Sequence, residues 1–353
     1  MIGLLSQLLL WLVLTTSVAG LTACRARATT FTQVTSDSTH ETDPAPSPDG
    51  KWIAFTSDRA GHGATQIYVM PAEGGEARQL THEPDSIRAA TPSWSPDGKT
   101  ILFVSTRGKR YNVYSVPFEG GEPRQLTHAP GGHRFACYSP DGKKIAFYSN
   151  RLAPTELYGF NIYVMDASGE QETEMARQVT HSRGSPGHPT WSADGRWIAY
   201  VAKEYDAARQ QTMEGNILFA KYHVYKVPSI GGKEVQLTSG TVAGEPLEDT
   251  WPCWSPDGKW IAFGRTLGAK RDLWALHVAT GRAVRITTEG DCMKPTWTSD
   301  SKSIYYSVLK PDGKSEDIWI ARDLDLKVPP APKGAGKARA STRGSRGVAR
   351  AVR

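Results

Sequence analysis

Six of the nine histidines, His40, His82, His128, His133, His181 and His188, stand in the short segments that lead into one recurring block, typified by Trp-Ser-Pro-Asp-Gly-Lys. Imidazole is the commonest transition-metal donor, and several such nitrogens ~2 Å from one ion would make a Lewis-acid centre. His82, His128 and His181 each follow a Gln-Leu-Thr or Gln-Val-Thr triplet, so they occupy matching places in successive repeats, on the order of 10 Å apart, too far to share an ion. His40, His133 and His188 are the inward set that would share one. The same segments carry charges of both signs: Glu41, Asp43, Arg88, Arg134, Glu248, Asp249, Asp291 and Lys294. Converging on one axis, they would focus a field and receive a charged loop, peptide or small anion; held apart, they would hydrate a rim. No Gly-x-Ser-x-Gly elbow, His-Glu-x-x-His pair, P-loop or Gly-x-Gly-x-x-Gly fingerprint occurs. The expectation is therefore a chain that binds and does not catalyse, with no cofactor and no resident metal. The alternative is a metal-dependent, lyase-like, carbohydrate-active enzyme built on the inward histidines.

The elements that position these residues are written six times. Pro92 to His128 forms the clearest unit, and its relatives begin at Pro44, Ala136, Pro189, Pro252 and Pro295. In each, a strand ends at an Asp-Gly or equivalent turn, a branched or aromatic strand returns, a third strand such as Ile-Tyr-Val-Met follows, and a short fourth ends in Leu-Thr. Six copies of about 45 residues predict an all-β, six-bladed propeller. Fourth-strand motifs end at Thr81, Thr127, Thr180, Thr238 and Thr287, and none follows the sixth third strand. Phe31 to Thr35 carries that pattern ahead of the first repeat, so an N-terminal strand is expected to close the ring; the alternative is a closing strand at 324–328. Tight turns occupy one face and long, unlike loops the other, including insertions at 152–160 and 203–223. The working face is expected on the long-loop side.

Four segments follow: 1–23, 24–30, 31–326 and 327–353. The first is an apolar leader centred on Leu8 to Leu14, too short to span a membrane, and reads as an export signal. Its end, Leu21-Thr22-Ala23-Cys24, resembles a lipobox, which implies a lipidated Cys24, and Arg25 after it favours the outer membrane. Residues 24–30 are then a tether and 31–326 the propeller. The last segment holds eight Lys or Arg and no acid, a basic tail suited to anionic lipid or envelope polymer and, once exported, not to nucleic acid. The formal charge of +6 thus belongs to the appendages. Cys253 and Cys292 lie near one rim, as a disulfide or as packed thiols.

The repeated Ser-Pro-Asp-Gly-Lys, Ile-Ala-Phe, Ile-Tyr-Val-Met, Gly-Gly and Arg-Gln-Leu-Thr elements resemble the WD40-like (PD40) repeat of the TolB-like propellers. That resemblance covers roughly 31–321. It implies a periplasmic scaffold with envelope-protein partners, a peptidoglycan-associated lipoprotein among them.

Overall fold

The computed structural model describes residues 28–328 apart from 37, 62–63, 155–158, 171, 182–183, 204–220 and 243–244. The leader, Cys24, the basic tail beyond 328 and most of the 203–223 insertion lie outside the described residues. The expected repeats fold as six four-stranded antiparallel sheets. Blade one comprises Glu41–Pro46, Trp52–Ser57, Gln66–Pro71 and Arg78–Gln79. The first strands of blades two to six are Ala89–Trp94, His133–Tyr138, Gly187–Trp191, Glu248–Trp254 and Cys292–Trp297. Blade six draws its fourth strand from the other end of the chain: Thr30–Gln33 pairs with Glu316–Arg322, with Phe31 opposite Ala321. A single helical turn, Glu172–Met175, is the one helix among the described residues.

Two side-chain devices repeat with the sequence. At the first turn, the Ser47 hydroxyl donates to Asp49 at 2.6 Å while accepting the Trp52 amide, and Asp49 accepts the Lys51 amide, which locks Gly50 in its left-handed conformation. Ser95 with Asp97, Ser139 with Asp141, Ser192 with Asp194 and Ser255 with Asp257 repeat this; in blade six Thr298 and Asp300 do so around Ser301, which takes the left-handed position without being glycine. At the outer edge, the fourth-strand threonine accepts a third-strand amide: Ile67 N–H to Thr81 Oγ1, and the same at Thr127, Thr180, Thr238 and Thr287, each 2.9 Å. Thr35 supplies the sixth copy, accepting the Ile318 amide at 2.9 Å. That match identifies the N-terminal strand as the missing fourth strand.

Between blades the second strands bury Phe55, Phe103, Phe147, Tyr200 and Phe263 completely. First-strand tryptophans stitch neighbours at the centre: Trp94 Nε1 donates to Ala45 O, Trp191 to Cys137 O and Trp297 to Cys253 O. This wall is what holds the channel at fixed width.

Candidate functional site

Every first strand carries a β-bulge. In blade one Thr42 pairs with Thr56 and Ala45 with Ala54, so three steps on one strand face two on the other; the same slip occurs at 90/93, 134/137, 187/190, 250/253 and 293/296. At each bulge one residue adopts positive φ: Asp43, Thr91, Phe135, His188, Trp251 and Lys294, between 48° and 55°. None is glycine, and five precede proline. Holding an L-residue there costs on the order of 1 kcal/mol or more apiece, and the closed sheet enforces it six times. The bulge turns all six side chains into one central cavity of about 480 Å³.

The six differ where the scaffold around them repeats. Phe135, His188 and Trp251, on consecutive blades three to five, make an aromatic half: His188 meets the Phe135 ring edge-on at 4.1 Å between centroids, and Trp251 lies 6.1 Å beyond. Tyr148 stacks behind Phe135 at 5.6 Å. Beside the Trp251 indole lies Gly264, whose counterparts are Thr56, Val104, Tyr148, Val201 and Ser307; a Cβ there would make ordinary contact, 3.6 Å from the indole and 3.4 Å from Thr250 Oγ1. Lys294, Asp43 and Thr91, on blades six, one and two, make a polar half. Lys294 Nζ lies 3.5 Å from Asp43, 3.3 Å from Glu316 and 2.5 Å from Thr42 Oγ1. Burial works against its charge, yet the two carboxylates prevail and hold its pKa above the usual lysine value. Thr91 Oγ1 and His188 Nδ1 are buried without a hydrogen-bond partner, so the ring presents unspent polar atoms to whatever enters.

Three of the expected site residues therefore meet in the channel, Asp43, His188 and Lys294, with Arg134 just above Phe135. Others are placed elsewhere. Glu41, wholly buried, is bound by Arg59, and Asp249, wholly buried, by Arg265 at 2.6 and 2.9 Å; both are clamps inside a blade. His133 is also wholly buried, with Nε2 on Ala129 O at 2.8 Å and a pKa lowered by burial. His40, Arg88 and Asp291 stay in the outer loops, and Glu248 opens the first strand of blade five opposite Thr266, with Lys221 3.8 Å from its carboxylate. Among the described residues no three His, Cys, Asp or Glu side chains stand close enough to hold a metal ion, so the inward histidines do not form the set expected of them. Cys253 and Cys292 are free thiols. The cavity also runs the other way from the expected working face: below the ring it is lined by Pro48, Pro96, Pro256 and Ser299, on the tight-turn side. Thr91, Phe135 and Trp251 were missed, although one signal marks them, the variable residue just before the Pro or Ala that opens each repeat.

His188 makes the ring sensitive to acid. Burial lowers its pKa from 6.5 to about 4, with Asp43 opposing and Lys294 adding. Between those values the unfolded chain binds the proton and the folded one does not, so stability falls as pH drops from 6.5 toward 4. We expect His188→Gln to remove part of that slope, a difference on the order of 2–3 kcal/mol between pH 7 and 4 in urea melts; an unchanged slope would mean the imidazole is already hydrated in the channel.

Residues 23–111 match the Tricorn protease N-terminal beta propeller domain, 86–216 the TolB beta propeller domain, and 216–301 the dipeptidyl peptidase IV N-terminal region. The chain is 32% identical over 161 residues to the uncharacterized peptidase YuxL of Bacillus subtilis, covering 46% of this chain and 22% of that one. It is 30% identical over 163 residues to dipeptidyl-peptidase 5 of Porphyromonas gingivalis, covering 44% and 20%. It thus spans about a fifth of the length of these curated relatives. A TolB structure from Agrobacterium tumefaciens superposes with a TM-score of 0.60 at 20% identity over 83% of this chain and 93% of that one, which shows the shared fold. One expectation is overturned. The lack of nucleophile motifs had argued against an enzyme, whereas the peptidase-named relatives and the dipeptidyl peptidase IV match point to peptidase chemistry. Propeller repeats are scaffold sequence, so motifs absent from them say nothing about the reaction a propeller serves.

Proposed function

We propose that this chain, a TolB-like six-bladed β-propeller of PD40 repeats, recognises peptide segments of envelope proteins in its central channel as the recognition part of peptidase-type machinery. The observation that carries this reading is the ring of six unlike, left-handed residues. A cavity of about 480 Å³ suits a few peptide residues. Its aromatic half offers stacking area at low entropic cost, and its polar half, with Thr91 Oγ1 and His188 Nδ1 unpaired, offers hydrogen bonds to a peptide backbone. The peptidase names of YuxL and dipeptidyl-peptidase 5 support a peptide as ligand, and the likeness to TolB supports an address in the cell envelope. Export through the 1–23 leader, a lipid anchor at Cys24 on the outer membrane and a basic tail against anionic polymer complete the reading. A peptidoglycan-associated lipoprotein is the first envelope protein to offer as a source of peptides.

The test is calorimetric titration of the full chain with a pool of short envelope-derived peptides, followed by mass spectrometry of the pool. Binding is expected, weakened roughly tenfold or more by Trp251→Ala, since burying an aromatic side chain against a ligand is worth ~1.5–3 kcal/mol. No binding, or binding indifferent to Trp251→Ala, would overturn the channel as the site.

A further inference from the structure

The charge distribution around the ring selects among peptides. Asp43 and Lys294 are the ionic side chains of the cavity lining, and Glu316 stands behind them. Lys294 is fully engaged by Thr42, Glu316 and Asp43, so two carboxylates share one ammonium and the cluster keeps one net negative charge. Lys294, Asp43 and Glu316 are poorly exposed, at 18%, 14% and 11% of their side chains, which limits screening by solvent. Asp43 reaches the lumen with spare acceptor capacity: Oδ2 takes the Thr56 hydroxyl at 3.2 Å and Oδ1 faces Lys294. Across the channel, Phe135 and Trp251 line the wall, and His188 stays neutral above about pH 4.

Two arginines stand on the other side of the ring. Arg134 lies over the Tyr111 ring at 4.1 Å, and Arg271 over Trp251 at 5.0 Å. Arg134 precedes Phe135 toward the long loops, and Arg271, second in the third strand of blade five (Lys270–His277), stands near the turn at 268–269 on that same face. Below the ring the cavity opens toward the tight turns, where the lining residues Pro48, Pro96, Pro256 and Ser299 carry no charge to hinder a cation on its way to Asp43.

We infer that the channel takes its peptide by a basic side chain, lysine or arginine, inserted from the tight-turn face with its head group beside Asp43 and against the aromatic half. This rests on the peptide reading above. The experiment titrates the full chain with three blocked pentapeptides that differ only at the central residue: arginine, citrulline (the uncharged isostere) or glutamate. The arginine peptide is expected to bind roughly tenfold or more tightly than the citrulline peptide, with glutamate weakest, and added salt should shrink the gap. Asp43→Asn should erase the preference while keeping the fold, since asparagine tolerates the left-handed conformation. Equal binding of arginine and citrulline peptides, or a preference that survives Asp43→Asn, overturns the charge selection. If the two bind equally and Trp251→Ala still weakens both, the peptide reading stands without it; if no peptide binds, the peptide reading falls and takes this one with it.

Discussion

Removing residues 28–36 is expected to lower the melting temperature by about 10 °C or more and to make the protein self-associate. That segment is the fourth strand of blade six. Thr30–Gln33 pairs with Glu316–Arg322, the Val34 and Thr35 amides both donate to Ile318 O, and Thr35 Oγ1 accepts the Ile318 amide. At ~1 kcal/mol net per backbone bond, with the Thr35 side chain buried as well, about 5 kcal/mol is at stake. For a chain of this size 1 kcal/mol moves the midpoint by roughly 2–4 °C. Blade six would still touch blade one through Tyr305 Oη to Ala72 O and Lys310 Nζ to Thr39 O, so the ring should loosen before it scatters. The uncovered edge of Glu316–Arg322 offers free backbone groups to a second chain, which sedimentation would register as dimers. Thr35→Val, losing one hydroxyl bond, should cost only ~1 kcal/mol. A deletion variant melting within about 2 °C of the parent would mean that contacts between blades, and not the closing strand, hold the ring.

This closure was legible because Phe31 to Thr35 repeats the letters of a strand that occurs five more times, down to the threonine whose hydroxyl caps the third strand. The channel ring was legible only in half. Asp43, His188 and Lys294 stood out as polar residues ahead of a strand, but Thr91, Phe135 and Trp251 read as ordinary strand residues. The residue before a proline is normally taken as extended, so nothing local announces a bulge that swings it to φ near 50°. Comparing repeats does announce it, since this position varies in chemistry while the residue after it is proline in five repeats and alanine in the sixth. Glu41, Asp249 and His133 misled for the opposite reason. A charged letter at a strand start reads as exposed, yet each has a partner supplied by the fold: Arg59 and Arg265 lie 18 and 16 residues on, and Ala129 O closes the loop before His133. The Arg-aromatic stacks that steady these clamps, Arg59 over Phe55 and Tyr68, Arg265 over Phe263 and Trp274, come from alternate strand positions that carry no obvious pattern.

Breaking one clamp separates these structural charges from the channel. Asp249 is wholly buried, and burial alone would raise its pKa; the hydrogen bonds from Arg265, with His223 assisting, outweigh that and bring it below the usual value. Its charge therefore stabilises the fold above the unfolded pKa, and that contribution is lost as pH falls through the lower folded value. In Arg265→Met the carboxylate keeps its burial and loses the guanidinium, so a destabilisation of about 3–5 kcal/mol is expected near neutral pH in urea or thermal melts. The sign of the pH response should then reverse. With desolvation unopposed by Arg265, folded Asp249 takes up a proton more readily than the unfolded chain does, and the variant should recover stability relative to the parent between pH 7 and 5. Adding Asp249→Asn should restore most of the loss at pH 7, because a neutral pair leaves no bare charge. At temperatures where both are folded, the double variant should bind channel peptides as the parent does, since neither side chain lines the cavity. A double variant that folds but has lost peptide binding would return Asp249 to the site from which the geometry has removed it.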